Sequence, residues 1–314
     1  MGKIAFVFPG QGAQAVGMGM DVYEKYPEAK AVFDRVDEVL GFSLSTIAFQ
    51  GPDSELKKTA NTQPALLTAS VALYETFRSQ GVKPDYVAGH SLGEYSALVV
   101  AGVLSLEDAV RTVRARGEFM EQAVPGGTGA MAAVLGAERE QLDKLCRDIS
   151  AAGTPVEMAN VNCPGQIVVS GSAAGVQAVV ERGKESGAKR VIPLEVSGPF
   201  HSSLMKPAAD RLAGMLAGIE LRDAGIPVVA NVTAQPVQAA DDIRRLLVEQ
   251  VCAPVLWEDS VAWLISQGVD TFVEIGSGSV LSGLIKKIDK SVRVFTLNNE
   301  EAIVKFAADY SATV

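Results

Sequence analysis

The sequence predicts an α/β protein in which a mostly parallel sheet, wrapped by helices, carries a smaller inserted unit. Three observations lead there. Short apolar runs rich in β-branched or aromatic residues (KIAFVF, PDYVAG, PVVAN, TFVEIG) each end at a turn-forming residue and are separated by helical patterns, the alternation of a parallel sheet covered by helices. Between about Gly127 and Val196 the rhythm changes to strand, helix, two close strands, helix, strand, the βαββαβ order of a ferredoxin-like unit. Finally, VAGHSLGEYSAL sets Ser91 between Gly89 and Gly93 where a strand hands over to a helix.

In chain order, KIAFVF reads as a buried strand and FPGQGAQ as the loop after it. Helices are expected over about Pro27 to Leu40, Pro64 to Gln80, Leu92 to Ala101 and Ser105 to Ala123. The last of these opens with Ser105 and has Asp108 three residues on, a good N-terminal cap. PGGTG at 125–129 and SGP at 197–199 read as hinges around the inserted unit: AMAAVL, EREQLDKLCRDIS, PVEMAN, QIVVSG, AAGVQAVVERGKESG and KRVIPLEV. A helix at about Ser203 to Ala217 resumes the larger unit. The expected division is a core of 1–126 with 197–314 and an insert of 127–196.

Composition narrows the function classes. The chain has 314 residues, 48% apolar and 21% charged, with a formal charge of −9, so no general attraction to nucleic acid or an anionic membrane is expected. ALVVAGVL, the longest apolar stretch, is far short of the roughly 18 residues of a membrane span, and the N-terminus lacks a signal-peptide pattern. A cytosolic setting follows. Cys146, Cys163 and Cys252 are odd in number and form no CxxC pair, so they read as core thiols, with no disulfide and no metal site.

Gly-x-Ser-x-Gly after a strand and before a helix is the nucleophile-elbow pattern, in which side chains at the flanking positions would collide with backbone. The following helix aims its first N–H groups toward Ser91, where an oxyanion would form. The chain holds two histidines. His90 adjoins the serine, points elsewhere and buttresses the loop; His201, in VSGPFHSSLM, is the better general base. A hydrolase triad of the usual order, with its histidine late in the chain, fits poorly, and the residue orienting His201 is left open as an acid, an amide or a backbone carbonyl.

Two further pieces bear on the site. Gln11 in FPGQGAQ falls at the same sheet edge as Ser91, so its N–H can be a second oxyanion donor beside that of Leu92. Gly10, Gly12 and Ala15 also match a dinucleotide-binding G-x-G-x-x-A, but PEAKAVFDRVDEVL reads as helix where that motif needs a second strand with an acidic end. In the helix at 105–123, Leu106, Ala109, Val110, Val113, Gly117 and Met120 form the apolar stripe. Arg111 points away from it, while Arg114 and Arg116 flank it on either side, and spacing does not choose between those two.

With these segments in hand, the chain resembles over essentially its whole length the malonyl-CoA:acyl carrier protein transacylases of bacterial type II fatty-acid synthesis. FPGQGAQ, NTQPALLTAS, AGHSLGEYSAL, RGEFMEQAVP, NVNCPGQIVVSG, PFHSSLMKPAA and VEIGSGSVLSGLIKK carry the resemblance. It implies an α/β-hydrolase-like core with a ferredoxin-like insert, and malonyl transfer from malonyl-CoA to the phosphopantetheine thiol of acyl carrier protein without a cofactor. It implies Ser91 as nucleophile, His201 as base, Gln11 and Leu92 as oxyanion hole, Arg116 on the malonyl carboxylate, and Gln250 holding His201 through its main-chain carbonyl. His90, Met120, Asn160, Phe200 and Val280 would line the pocket, with Leu92 and Phe200 leaving little room at the malonyl α-carbon. GSGS at 276–279 replaces the family's usual Gly-Pro-Gly-Lys and removes a positive charge near the mouth. Docking of the acidic carrier protein is expected at Lys189, Arg190, Lys286 and Lys287, and the chain is expected to act as a monomer. The competing readings are a related acyltransferase for another extender unit or for polyketide synthesis, a serine hydrolase, and a non-catalytic CoA-binding module.

Overall fold

A computed structural model describes residues 2–311. Its strands are β1 Lys3–Phe8, β2 Tyr86–Gly89, β3 Gly129–Leu135, β4 Val156–Cys163, β5 Gln166–Ser172, β6 Arg190–Pro193, β7 Val228–Val229, β8 Pro236–Val237, β9 Val255–Leu256, β10 Val269–Ile275 and β11 Arg293–Leu297. Six form one sheet in the order β11-β10-β1-β2-β7-β8, parallel except for β8 at its edge. The apolar runs lie where both faces are covered: Ala5 to Phe8 are wholly buried, as strands of a sheet covered by helices require. Phe8 pairs with Gly89, so β1 and β2 end side by side and deliver their loops to one edge, where α/β sheets place their sites.

The second sheet runs β6-β3-β5-β4-β9. Its first four strands have the ferredoxin-like arrangement that the sequence rhythm predicts. A fifth was not expected: β9, from the C-terminal part of the chain, pairs parallel to β4 through Asn160 with Val255 and Val161 with Leu256. The small sheet is thus tied into the segment that follows helix Ala240–Gln250. The final strand of the unit is shorter than KRVIPLEV, stopping at Pro193, whose ring nitrogen has no proton for a ladder.

Helix Pro27–Leu40 has the predicted limits, and helix Leu106–Gln122 starts from a Ser105 cap whose Oγ accepts from the Asp108 N–H at 3.0 Å. The helix expected from Pro64 starts earlier, at Thr59, with Pro64 inside it. A proline there deprives the Ala60 carbonyl of its intrahelical donor; Arg114 supplies one, its guanidinium reaching that oxygen at 3.1 Å. Cys146 and Cys163 are buried as expected, whereas Cys252 is half-exposed; all three are free thiols. Among the described residues no helix is long and apolar enough to cross a membrane.

Candidate active site

The turn after β2 is forced by sterics. A Cβ on Gly89 would lie 1.9 Å from the Gly93 carbonyl carbon, and one on Gly93 would lie 2.0 Å from the Phe8 carbonyl oxygen, so neither position admits a side chain. Between them Ser91 sits in the left-handed region, φ 51°, a conformation that costs a non-glycine residue on the order of 1–3 kcal/mol unless its surroundings hold it. Asn231 holds it. Its Oδ1 accepts the Ser91 N–H at 2.8 Å, and its Nδ2 donates to the Gly89 carbonyl at 2.7 Å.

Ser91 Oγ lies 2.7 Å from His201 Nε2. His201 also has positive φ, 58°, and its Nδ1 is 2.8 Å from the main-chain oxygen of Gln250. That oxygen is in the last turn of helix Ala240–Gln250, where carbonyls lack intrahelical donors. Since a carbonyl can only accept, Nδ1 carries the proton and Nε2 presents its lone pair to the serine hydroxyl. The alternatives left open by the sequence for the group orienting His201 resolve to this carbonyl. Burial, and next the Arg116 charge, push the imidazole down to about 3.

Arg116 is 1% exposed. Its Nη1 donates to Gln63 Oε1 at 2.8 Å, and its Nη2 to Gln250 Oε1 at 2.9 Å and to Ser91 Oγ at 3.3 Å. The guanidinium thus reaches two amide oxygens and the serine, and among the described residues no carboxylate pairs with it. Arg114 is different: it pairs with Glu118 at 2.7 Å and binds Asn61. Both flank the apolar stripe in sequence, yet only Arg116 enters the site. Among the described residues, no protein acceptor takes the main-chain N–H of Gln11 or of Leu92, whereas that of Ser91 is occupied by Asn231.

A cavity of about 290 Å³ opens over these groups between the two sheets, lined by Gln11, Ser91, Leu92, Arg116 and His201 from the large unit and by Asn160, Asn162 and Gln166 from the small one. Residues 5–305 match the model of the acyl transferase domain. The chain belongs to that acyltransferase family. It is 54% identical to the malonyl CoA-acyl carrier protein transacylase of Bacillus subtilis (strain 168) over 303 residues, 96% of each chain. With the Staphylococcus aureus (strain MRSA252) protein of the same name it shares 48% over 96% of this chain and 98% of that one. An acyl carrier protein S-malonyltransferase from Vibrio cholerae superposes with a TM-score of 0.94 at 45% identity, covering 96% of this chain and 99% of that one. A malonyl-transacylase solved in complex with its type II PKS acyl-carrier protein gives 0.94 at 44%, covering 98% and 99%. The resemblance read from the motifs is therefore borne out, as is an α/β acyltransferase fold with a small inserted unit.

In this acyltransferase His90, Met120, Asn160, Phe200 and Val280 all line the cavity. Val280 is 51% exposed and forms its rim, while Met120 and Phe200 are buried. His90 hydrogen-bonds Asn162 Oδ1 through Nε2 at 2.8 Å, with Trp257 against its ring; burial pulls its basicity down. The GSGS loop packs on the Gln11 loop, where Ser277 Oγ donates to the Ala13 carbonyl at 2.7 Å. Lys189, Arg190, Lys286 and Lys287 are exposed, but the Lys286 amine is committed to the carbonyls of Lys290 and Val292. Among the described residues no cluster of three or more His, Cys, Asp or Glu could hold a metal.

Four residues in or beneath the site were missed from sequence: Gln63, Glu94, Asn162 and Asn231. Glu94 left a signal, the one charged residue in GEYSALVV, a helix buried over most of its length. Asn231 directly follows PVVA at the end of a strand, the position from which side chains reach a site. Gln63 and Asn162 stand in segments with no local mark of their role.

Proposed function

We propose that this acyltransferase moves a malonyl group from malonyl-CoA to the phosphopantetheine thiol of acyl carrier protein through a malonyl ester on Ser91. As Ser91 Oγ attacks the thioester carbonyl, His201 Nε2 takes its proton; collapse of the tetrahedral intermediate expels the CoA sulfur, which leaves with that proton. The carrier-protein thiol then gives its proton to His201 and attacks the ester. Breakdown releases the malonyl thioester and returns the proton to Ser91 Oγ, a ping-pong sequence that consumes no water. The proposed chemistry calls on no metal or cofactor.

The observation that carries the reading is the Ser91 Oγ to His201 Nε2 contact of 2.7 Å with a buried guanidinium 3.3 Å from the same oxygen. Arg116 suits a malonyl carboxylate because its fork donates two charge-assisted hydrogen bonds. It also lowers His201 basicity, so a carboxylate that neutralises it returns basicity to the imidazole when substrate is in place. The unclaimed Gln11 and Leu92 N–H groups supply the oxyanion hole, and Gln250 orients His201. This reading takes 1–126 with 197–314 as the catalytic core and 127–196 as the insert, in a cytosolic monomer that meets carrier protein transiently at Lys189, Arg190 and Lys287.

Intact mass after brief mixing with malonyl-CoA tests it. Wild type gains one malonyl group, Ser91→Ala gains none, and added holo carrier protein removes the adduct and carries it. An adduct that survives Ser91→Ala would overturn the assignment.

A further inference from the structure

Beneath the elbow lies a buried carboxylate that the steps above do not use. Glu94, in the first turn of helix Gly93–Val100, is 2% exposed. Its Oε2 accepts from the Asn231 main-chain N–H at 3.1 Å and from Gln250 Nε2 at 2.9 Å. That same amide nitrogen faces the Ser91 carbonyl and Asn231 Oδ1, each at 3.1 Å. Surrounded by acceptors on its nitrogen side, the Gln250 amide has one orientation, with Oε1 turned to Arg116 Nη2 at 2.9 Å. Carboxylate, amide and guanidinium are therefore joined in one chain of hydrogen bonds. A neutral amide at position 94 could accept the same two hydrogen bonds, so holding the elbow does not explain the acid.

We propose that Glu94 is a specificity-determining positioning residue, whose charge, acting through Gln250, sets how strongly Arg116 holds the carboxylate of an acyl group. The proposal rests on the reading of Arg116 as the carboxylate binder. Among the described residues the charged group acting on Glu94 is Arg116, on helix Leu106–Gln122; Tyr95, on the same helix as Glu94, is itself raised by the Glu94 charge. His201, on its loop, is neutral across the working range. Burial, opposed by the Asn231 and Gln250 hydrogen bonds and by Arg116, pushes Glu94 up to about 7. Above that pH the ionised Glu94 offsets the guanidinium and repels an arriving carboxylate. Below it Glu94 is neutral and Arg116 offers its full charge. The coupling is mutual: a carboxylate bound at Arg116 opposes ionisation of Glu94, so malonyl binding near neutrality draws a proton onto it.

This chain of hydrogen bonds puts an arriving carboxylate about 10 Å from Glu94, where two unit charges at an effective dielectric near 20 change an equilibrium by roughly tenfold. The test is kcat/KM for acylation of Ser91 by malonyl-CoA and by acetyl-CoA, taken as a ratio from about pH 5.5 to about pH 8.5. The ratio cancels the titration of CoA, of the base and of anything merely structural. For wild type it falls roughly tenfold as pH rises; for Glu94→Gln it stays at the acid-side value at every pH. A flat wild-type ratio, or one that still falls in Glu94→Gln, overturns the proposal. Arg116→Ala separates the two readings: a collapsed ratio supports carboxylate binding by Arg116 whatever Glu94 does, and an intact ratio removes that reading. Should Glu94→Gln fail to fold, calorimetry of malonyl-CoA and acetyl-CoA binding to Ser91→Ala in two buffers of different ionisation enthalpy decides. Proton uptake near neutral pH with malonyl-CoA in excess of that with acetyl-CoA is expected, and equal uptake refutes it.

Discussion

Replacing Asn231 by alanine tests whether the strained turn at Ser91 is held from outside. The side chain is almost completely buried, 1% exposed, and makes three hydrogen bonds: from Ser91 N, from Gln250 Nε2 and to the Gly89 carbonyl. Gln250 Nε2 keeps two other acceptors. The part-buried Ser91 N–H and the buried Gly89 carbonyl each lose a partner, and an orphaned group costs about 1–3 kcal/mol, least where it borders the cavity. Asn231→Ala should therefore lower stability by about 2–6 kcal/mol, a large part of the roughly 5–15 kcal/mol that holds a typical domain. Relaxation of the φ of Ser91 also moves Oγ relative to His201, and a displacement of about 1 Å costs on the order of 100-fold in rate. Urea unfolding followed by circular dichroism gives the first quantity, and the rate of malonyl-adduct formation gives the second. A variant that unfolds within about 0.5 kcal/mol of wild type and acylates at the wild-type rate would show that the turn needs no clamp.

Gly93→Ala brings a Cβ against the Phe8 carbonyl, so it should give no soluble protein or no adduct; normal expression with full acylation would refute the steric account. His201 is held neutral down to about 3 by burial, whereas an unfolded histidine titrates near 6.5. Its contribution to stability is present in full above about 6.5 and is lost as pH falls toward about 3. Glu94, raised by burial to about 7 from the ordinary glutamate value of 4.5, contributes the opposite slope, losing stability as pH rises between those values. The measurement is thus the difference in urea midpoint between wild type and His201→Gln, which should widen from mildly acidic to neutral pH; a constant difference removes the imidazole as its cause. Charge reversal at Lys189, Arg190 and Lys287 together should raise KM for carrier protein and leave acylation by malonyl-CoA unchanged, and an unaltered KM discards that surface.

Much of the architecture was legible because it rests on local rules. Helix Pro27–Leu40 has a proline at its start and Gly41 in the left-handed conformation at its end, signals that sequence shows directly. Strand β9 is two residues long, and its partner β4 lies far upstream, so no local pattern marks it. Helix Thr59–Arg78 began earlier than its proline suggested because Arg114 repairs the gap from another helix. The site divides the same way. Ser91, with its flanking glycines, is a local signature. Spacing alone does not tell Arg116 from Arg114; apart from the family resemblance, what separates them is Gln63 and Gln250, brought from other helices to surround one and not the other. Glu94 and Asn231 escaped notice because what they bind is backbone and amide across the fold, not a neighbour in sequence.

Strand β9 has a consequence for anyone who would re-engineer this enzyme by exchanging parts. Residues 127–196 look like a cassette: one entry, one exit, and about a third of the cavity's lining. Yet the cassette's sheet is completed by Val255 and Leu256, just downstream of the Gln250 carbonyl to which His201 is tethered. A chimera that imports a foreign insert leaves the host's β9 to pair with an unfamiliar β4, and any misfit is passed along a few residues of chain to the tether of the imidazole. The unit that can be transplanted is discontinuous, 127–196 together with 251–257, and grafts cut at the obvious hinges alone should lose activity through the base before they change which acyl group is preferred.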